Sequence, residues 1–280
     1  MNIHIVETGF FKLDGGAMFG VVPKSMWNKL NPADENNMCT WAMRCLLIEI
    51  DQRLILIDTG MGNKQDGKFR SHFYPHGNDS LIGSLAKLGF STDDITDVIL
   101  THLHFDHCGG AAYRSDNGAL LPQFPNAKYW SHSVHLEWAL KPNDREKASF
   151  LKENIEPLVL SNQLYFIDKD SFGCDSFEFD LAYGHTEAMI IPKILYKGKR
   201  IIFAADLMPS SYHIPMPYVM SYDIRPLETL KEREKLLTST FDNQDIIFFE
   251  HDPIHQFGTL KKHESGRIVL EQTFSIEDLK

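Results

Sequence analysis

Three histidines and an aspartate fall within one short stretch, Thr101-His102-Leu103-His104-Phe105-Asp106-His107-Cys108-Gly109-Gly110. Imidazole and carboxylate are the donors that hold a divalent cation in N/O coordination. On an extended segment residues i and i+2 point the same way, so His102 and His104 can grip one ion. A bend after them lets Asp106 and His107 address a second, and Gly109-Gly110 allows the tight backbone such a bend needs. Two ions at about four ligands each need more donors than this motif offers. Three further residues directly follow apolar runs: His185 in Gly184-His185-Thr186, Asp206 in Ala205-Asp206-Leu207, and His251 in Glu250-His251-Asp252-Pro253. A carboxylate has two oxygens to share, so bridging both ions is the natural role of Asp206.

Such donors need strand ends to hold them. Apolar, β-branched runs predict strands at 42–50 and 53–58, joined by an Asp51-Gln52 turn, and at 97–101, 177–183, 190–196, 200–204, 245–249 and 267–273. Gly198 should sit at the tip of a hairpin. Helical patterns cover 80–88, with Asp79 as cap and Gly89 as stop, then 133–140, 144–155, and from Pro226 to about 239. Strands and helices alternate without a linker or repeat. The expectation is one α/β domain over residues 1–280 with at least one mixed sheet, and residues 1–40 as an extension toward a pocket or a dimer contact.

Hydrophobic residues make up 43% of the 280 and charged residues 24%, which excludes disorder and coiled coil. The 28 basic and 38 acidic residues leave a net charge of −10, and no dense Lys/Arg run offsets it. Nucleic acid and other polyanions are therefore poor partners, and a neutral small molecule is a better one. No run is long enough to span a membrane, and Glu7 interrupts the N-terminal stretch where a signal peptide would be apolar. The four cysteines form no CxxC pair, which points to a reducing, cytoplasmic setting.

The chain resembles the metallo-β-lactamase superfamily in Asp58-Thr59-Gly60, His102-x-His104-x-Asp106-His107, Gly184-His185-Thr186, Asp206 and His251, in that order. The resemblance implies a four-layer αββα sandwich with mixed sheets and a dinuclear site at one edge. It implies that ion one takes His102, His104 and His185, that ion two takes Asp106, His107 and His251, and that Asp206 bridges. Zinc is the expected metal, with manganese, iron or cobalt as alternatives. Asp106 would be catalytic, orienting the attacking water and taking its proton. Asp58 would orient a ligand histidine rather than bind metal.

Gly15-Gly16-Ala17-Met18-Phe19-Gly20, Phe124-Pro125-Asn126-Ala127 and Phe249-Glu250-His251-Asp252-Pro253 are similar to the branch that holds N-acyl-homoserine lactonases and methyl parathion hydrolase-like enzymes. Two positions depart from it. Pro209 stands where small lactonases often carry a Tyr three residues after the bridging Asp, with Tyr212 close but displaced, and Glu187-Ala188 alters the loop after His185. The expected activity is hydrolysis of a neutral, partly apolar ester, above all a lactone, with Met18, Phe19, Tyr212 and His213 as substrate contacts. A phosphotriesterase or arylesterase, a glyoxalase II-like thioester hydrolase, and a non-enzymatic metal-binding module are the alternatives. Cys108 reads as a small packing residue, and the remaining histidines as surface or structural groups.

Overall fold

A computed structural model describes residues 1–279. They group into two compact units, one of residues 1–9 and 43–173, the other of 10–42 and 174–279.

The first unit is built on a six-stranded sheet in the order β1-β2-β3-β4-β7-β8. Its strands are β1 (Asn2–Asp14), β2 (Met38–Ile50), β3 (Arg53–Ile57), β4 (Asp97–Ile99), β7 (Lys128–Ser131) and β8 (Leu164–Phe166), and β5 (Ala112–Arg114) and β6 (Leu120–Pro122) form a separate pair. Two of the three boundaries between units fall inside β1 and β2, and the third, at Gly173, follows β8. β2 and β3 are antiparallel, whereas β3, β4, β7 and β8 run parallel. Leu46, Leu47 and Ile48 are all fully buried. That is the continuous apolar run of a strand covered on both faces. Leu81, Leu85, Ala139, Ile155 and Leu158 from the helices Leu81–Lys87, Ser133–Leu140 and Lys152–Leu160 join Leu47, Leu56, Val98 and Tyr129 of the sheet in one core.

The second unit carries β9 (Phe177–Ala182), β10 (Met189–Tyr196), β11 (Lys199–Phe203), β12 (Ile246–Phe248), β13 (Phe257–Lys262) and β14 (Ile268–Phe274), in the order β14-β13-β12-β11-β10-β9. β11 and β12 are parallel and the other pairs antiparallel. The helix Pro226–Asn243 packs on β13 and β14. Each unit thus supplies one mixed sheet and one helical layer, the α/β class read from the chain. The β10–β11 turn has Gly198 at its tip, with positive φ at Lys197 (51°) and Gly198 (81°), as a two-residue hairpin requires.

Several elements differ from the expectation. The helix at 81–87 is capped by Ser80, which accepts from Gly83 N, and not by Asp79. The helix expected at 144–155 begins only at Lys152. Asn143 Oδ1 accepts from the Arg145 and Glu146 amides, at 2.9 and 3.1 Å, and closes turns there instead. Pro226 opens its helix as expected, but that helix runs on to Asn243. β1, β5, β6, β7, β8 and β13 lie outside the expected strands. No helix among the described residues is long and apolar enough to cross a membrane.

Candidate metal centre

In the first unit, parallel β3 and β4 end side by side, and Asp58 and Thr101 leave their tips. Asp58 Oδ1 accepts from Thr101 N (2.8 Å) and Oδ2 from Thr101 Oγ1 (2.6 Å). The same carboxylate lies 3.0 Å from His107 Nδ1. Thr101 gives its hydroxyl proton to Asp58, so its oxygen accepts from His102 Nδ1 at 3.1 Å. These contacts assign the ring protons: His102 and His107 carry theirs on Nδ1 and leave Nε2 as a lone pair. Asp58 is completely buried and held at φ 58°, an uncommon conformation for a non-glycine residue.

After His104 the chain enters a short helix, Phe105–Cys108, which carries Asp106 and His107. The rings of His102 and His107 lie 3.9 Å apart, centroid to centroid, and those of His102 and His104 4.5 Å. His102 Nε2 faces His104 Nδ1 at 3.1 Å. Buried ring nitrogens converging in this way fit a cation held between them. Gly109 and Gly110 serve close approach rather than a special bend. Gly109 has helical φ (−61°), and a Cβ there would strike the Met61 backbone, while one at Gly110 would strike Thr59 O. Cys108 donates to Leu103 O, and burial pushes its thiol up to about 12, so it remains a neutral packing group.

In the second unit, the three other candidate ligands converge. Asp206 Oδ2 lies 3.1 Å from His185 Nε2, and Oδ1 lies 3.1 Å from His251 Nε2. One carboxylate therefore addresses two imidazoles, one oxygen to each. The far nitrogens are tied down: His185 Nδ1 to Asp223 Oδ1 at 2.9 Å, and His251 Nδ1 to Ala42 O at 2.7 Å. Burial opposes charge on His185, but the flanking Asp206 and Asp223 carboxylates outweigh it and push the imidazole up to about 10. The pocket that raises it so far is one that favours a cation. The turn bearing His185 is clamped to the helix Pro226–Asn243, where Glu232 accepts from Tyr183 N and Gly184 N at 2.7 and 3.0 Å. Ala205, next to Asp206, sits at φ 43°.

All seven candidate ligands are buried. The orienting partner of His185, Asp223, was not anticipated: a lone aspartate in a turn, 38 positions from its histidine, carries no periodic or motif signal. Of the four candidate substrate contacts, Tyr212 alone is partly exposed, and Met18, Phe19 and His213 are buried to 1% or less. The Phe19 ring stacks between Trp27 and His213, with centroids 5.3 and 5.2 Å away. Also unanticipated is an aromatic trio in the first unit. Phe69 and Phe73, one helical turn apart in Gly67–Phe73, pack against Phe105 at 5.1 and 4.5 Å. Phe105 immediately precedes Asp106.

Residues 44–251 match the Metallo-beta-lactamase superfamily. The chain belongs to that superfamily and is a metal-dependent hydrolase. It is similar to the N-acyl homoserine lactonase AiiA of Bacillus thuringiensis subsp. kurstaki, 30% identical over 241 residues, covering 81% of this chain and 87% of AiiA. The solved structure of a Staphylococcus aureus protein superimposes with a TM-score of 0.85 at 28% identity, over 98% of both chains. AidC, a dizinc quorum-quenching lactonase solved with a product, shares the fold with a TM-score of 0.79 at 24% identity, over 98% of this chain and 95% of that one.

Proposed function

We propose that the chain is a dinuclear metal-dependent hydrolase that opens lactones of the acyl-homoserine type. His102, His104 and His185 would hold one ion, Asp106, His107 and His251 the other, and Asp206 would bridge, so that the two units act as one functional domain. Zinc is the proposed metal, and four cysteines without a CxxC pair support a reducing, cytoplasmic setting. The observation that carries the reading is the Asp206 carboxylate, which gives one oxygen to His185 and the other to His251, each at 3.1 Å. The similarity to AiiA supports the substrate class.

When bound, two divalent cations supply Lewis acidity and lower the pKa of a water toward neutrality. Asp106, 8% exposed and with Oδ2 3.8 Å from His107 Nε2, takes the proton of the attacking water and returns it to the leaving alkoxide. Phe69, Phe73 and Phe105 offer an apolar surface beside Asp106 for an acyl chain. Burial and the Asp252 charge push the Tyr212 phenol up to about 12, so it stays an O–H donor for a substrate carbonyl. Asp252 holds the start of its turn by accepting from Ser211 N (2.9 Å) and Oγ (2.5 Å). Met18 and Phe19 brace this turn through His213, Met18 O accepting from its Nε2 and the Phe19 ring stacking on it.

The test is metal analysis followed by kcat/KM on a panel of acyl-homoserine lactones, paraoxon-like triesters, aryl esters and glutathione thioesters. Two metals per chain are expected, with lactones preferred by at least tenfold. Full activity with one metal would overturn the dinuclear assignment. Lactones left unopened, or thioesters preferred tenfold, would overturn the substrate.

A further inference from the structure

His104 is the exception among the ligand histidines. His102, His107, His185 and His251 each turn Nδ1 to an oxygen of the protein and leave Nε2 for a ligand. His104 is reversed, with Nδ1 facing His102 Nε2 at 3.1 Å. An imidazole that offers Nδ1 as a lone pair must carry its proton on Nε2. The group facing that nitrogen is Glu146, whose Oε1 lies 3.7 Å away. This is ion-pair range, longer than a hydrogen bond.

Glu146 lies 4% exposed, in a segment of turns rather than on a regular element. Its other oxygen is pinned, accepting from Trp138 Nε1 at 2.9 Å and from Asn143 Nδ2 at 2.6 Å. The segment is itself tied to the ligand motif, because Phe105 N donates to Ser149 O at 3.0 Å and the Phe150 ring lies 4.7 Å from that of His104. A buried carboxylate is costly unless something positive or polar answers it. Trp138 and Asn143 answer one oxygen, and the other lies 3.7 Å from the far nitrogen of the His104 imidazole.

We propose that Glu146 is a positioning residue for the metal centre, selecting the reversed tautomer of His104 and tightening the ion that His104 holds. The inference rests on the dinuclear reading above. Glu146 makes His104 a better donor by drawing on its Nε2 proton, as carboxylates behind metal-bound histidines generally do. Trp138 and Asn143 act through Glu146 by fixing its carboxylate.

The experiment compares wild type with E146Q and E146D by chelator competition, and by the visible spectrum of the cobalt-loaded protein. In wild type two ions should be resolved. E146Q should release one of them ten- to a hundredfold more readily, with the other unchanged and the cobalt bands of one site altered. E146D, which keeps the charge, should recover part of the loss. W138F leaves the carboxylate in place but unpins it, and should weaken the same ion about threefold, so the proposal stays testable if E146Q fails to fold. If wild type binds two ions and E146Q or W138F binds both equally well, the role of Glu146 is refuted. If wild type binds fewer than two, the dinuclear reading fails first.

Discussion

His213 accepts from Ser210 Oγ at Nδ1 (2.7 Å) and donates from Nε2 to Met18 O (2.9 Å), an arrangement open only to the neutral ring. Burial pulls its pKa down from 6.5 to about 3. Between those values the unfolded chain binds a proton that the folded chain refuses. Stability from this residue is therefore fully present above pH 6.5 and is lost as pH falls toward 3. At pH 5 the loss should reach about 2 kcal/mol. Urea unfolding at pH 7.5 and pH 5 should show H213Q less stable than wild type at neutrality but with a smaller acid-induced drop. Asp223 lends itself to a second measurement. D223N should weaken metal binding ten- to a hundredfold by loosening His185, read by chelator competition, while far-UV circular dichroism stays that of wild type. The seven ligand candidates were legible because histidine and aspartate in such spacing have few other uses. Asp223 and Glu146 were not, since their roles depend on which turns fold back onto a histidine.

Strand ends and one helix hold these residues in place, and in the second unit a close junction lies at Gly184. A Cβ there would land on the backbone nitrogen and side-chain oxygen of Thr229 in the helix Pro226–Asn243. Backbone cannot yield as a side-chain tip can. G184A should therefore push the His185 turn off the helix and cost on the order of 2–3 kcal/mol, with metal affinity falling alongside. Thermal unfolding and metal titration on the same preparation check both effects. An unchanged melting temperature would mean that the clamp is looser than the contact implies. Most strands of the second unit could be read from their apolar runs. β1 could not, because its buried residues Ile3, Val6, Gly9 and Phe11 fall mainly three apart, and a strand is recognised by a period of two. The turns at 143–149 went unread for the opposite reason: their residues suit a helix until Asn143 bonds to the amides of Arg145 and Glu146.

Across the whole molecule, seven buried polar candidate ligands would be a liability without cations to answer them. Removing metal should therefore destabilise the protein as well as silence it. At a free metal concentration 100-fold above Kd, one bound ion adds about 2.7 kcal/mol. A melting curve after chelation and dialysis should fall by several degrees and recover on adding zinc, and identical curves would argue against resident metal. The α/β class and mixed sheets followed from alternating strands and helices. The division into two units did not, because two of its three boundaries lie inside β1 and β2, where no linker marks a break.

That division sets a timetable for synthesis. The first unit is complete in sequence by Gly173 and has its own buried core. The second needs an early segment, residues 10–42, together with everything from Cys174 onward. On the ribosome, His102, His104, Asp106 and His107 therefore emerge with a core to hold them, while residues 10–42 wait for the strands they belong with. His185, Asp206 and His251 arrive last. A nascent chain paused near residue 173 would present four of the seven candidate donors and none of the other three. The proposed set of seven donors is complete only once His251 has emerged.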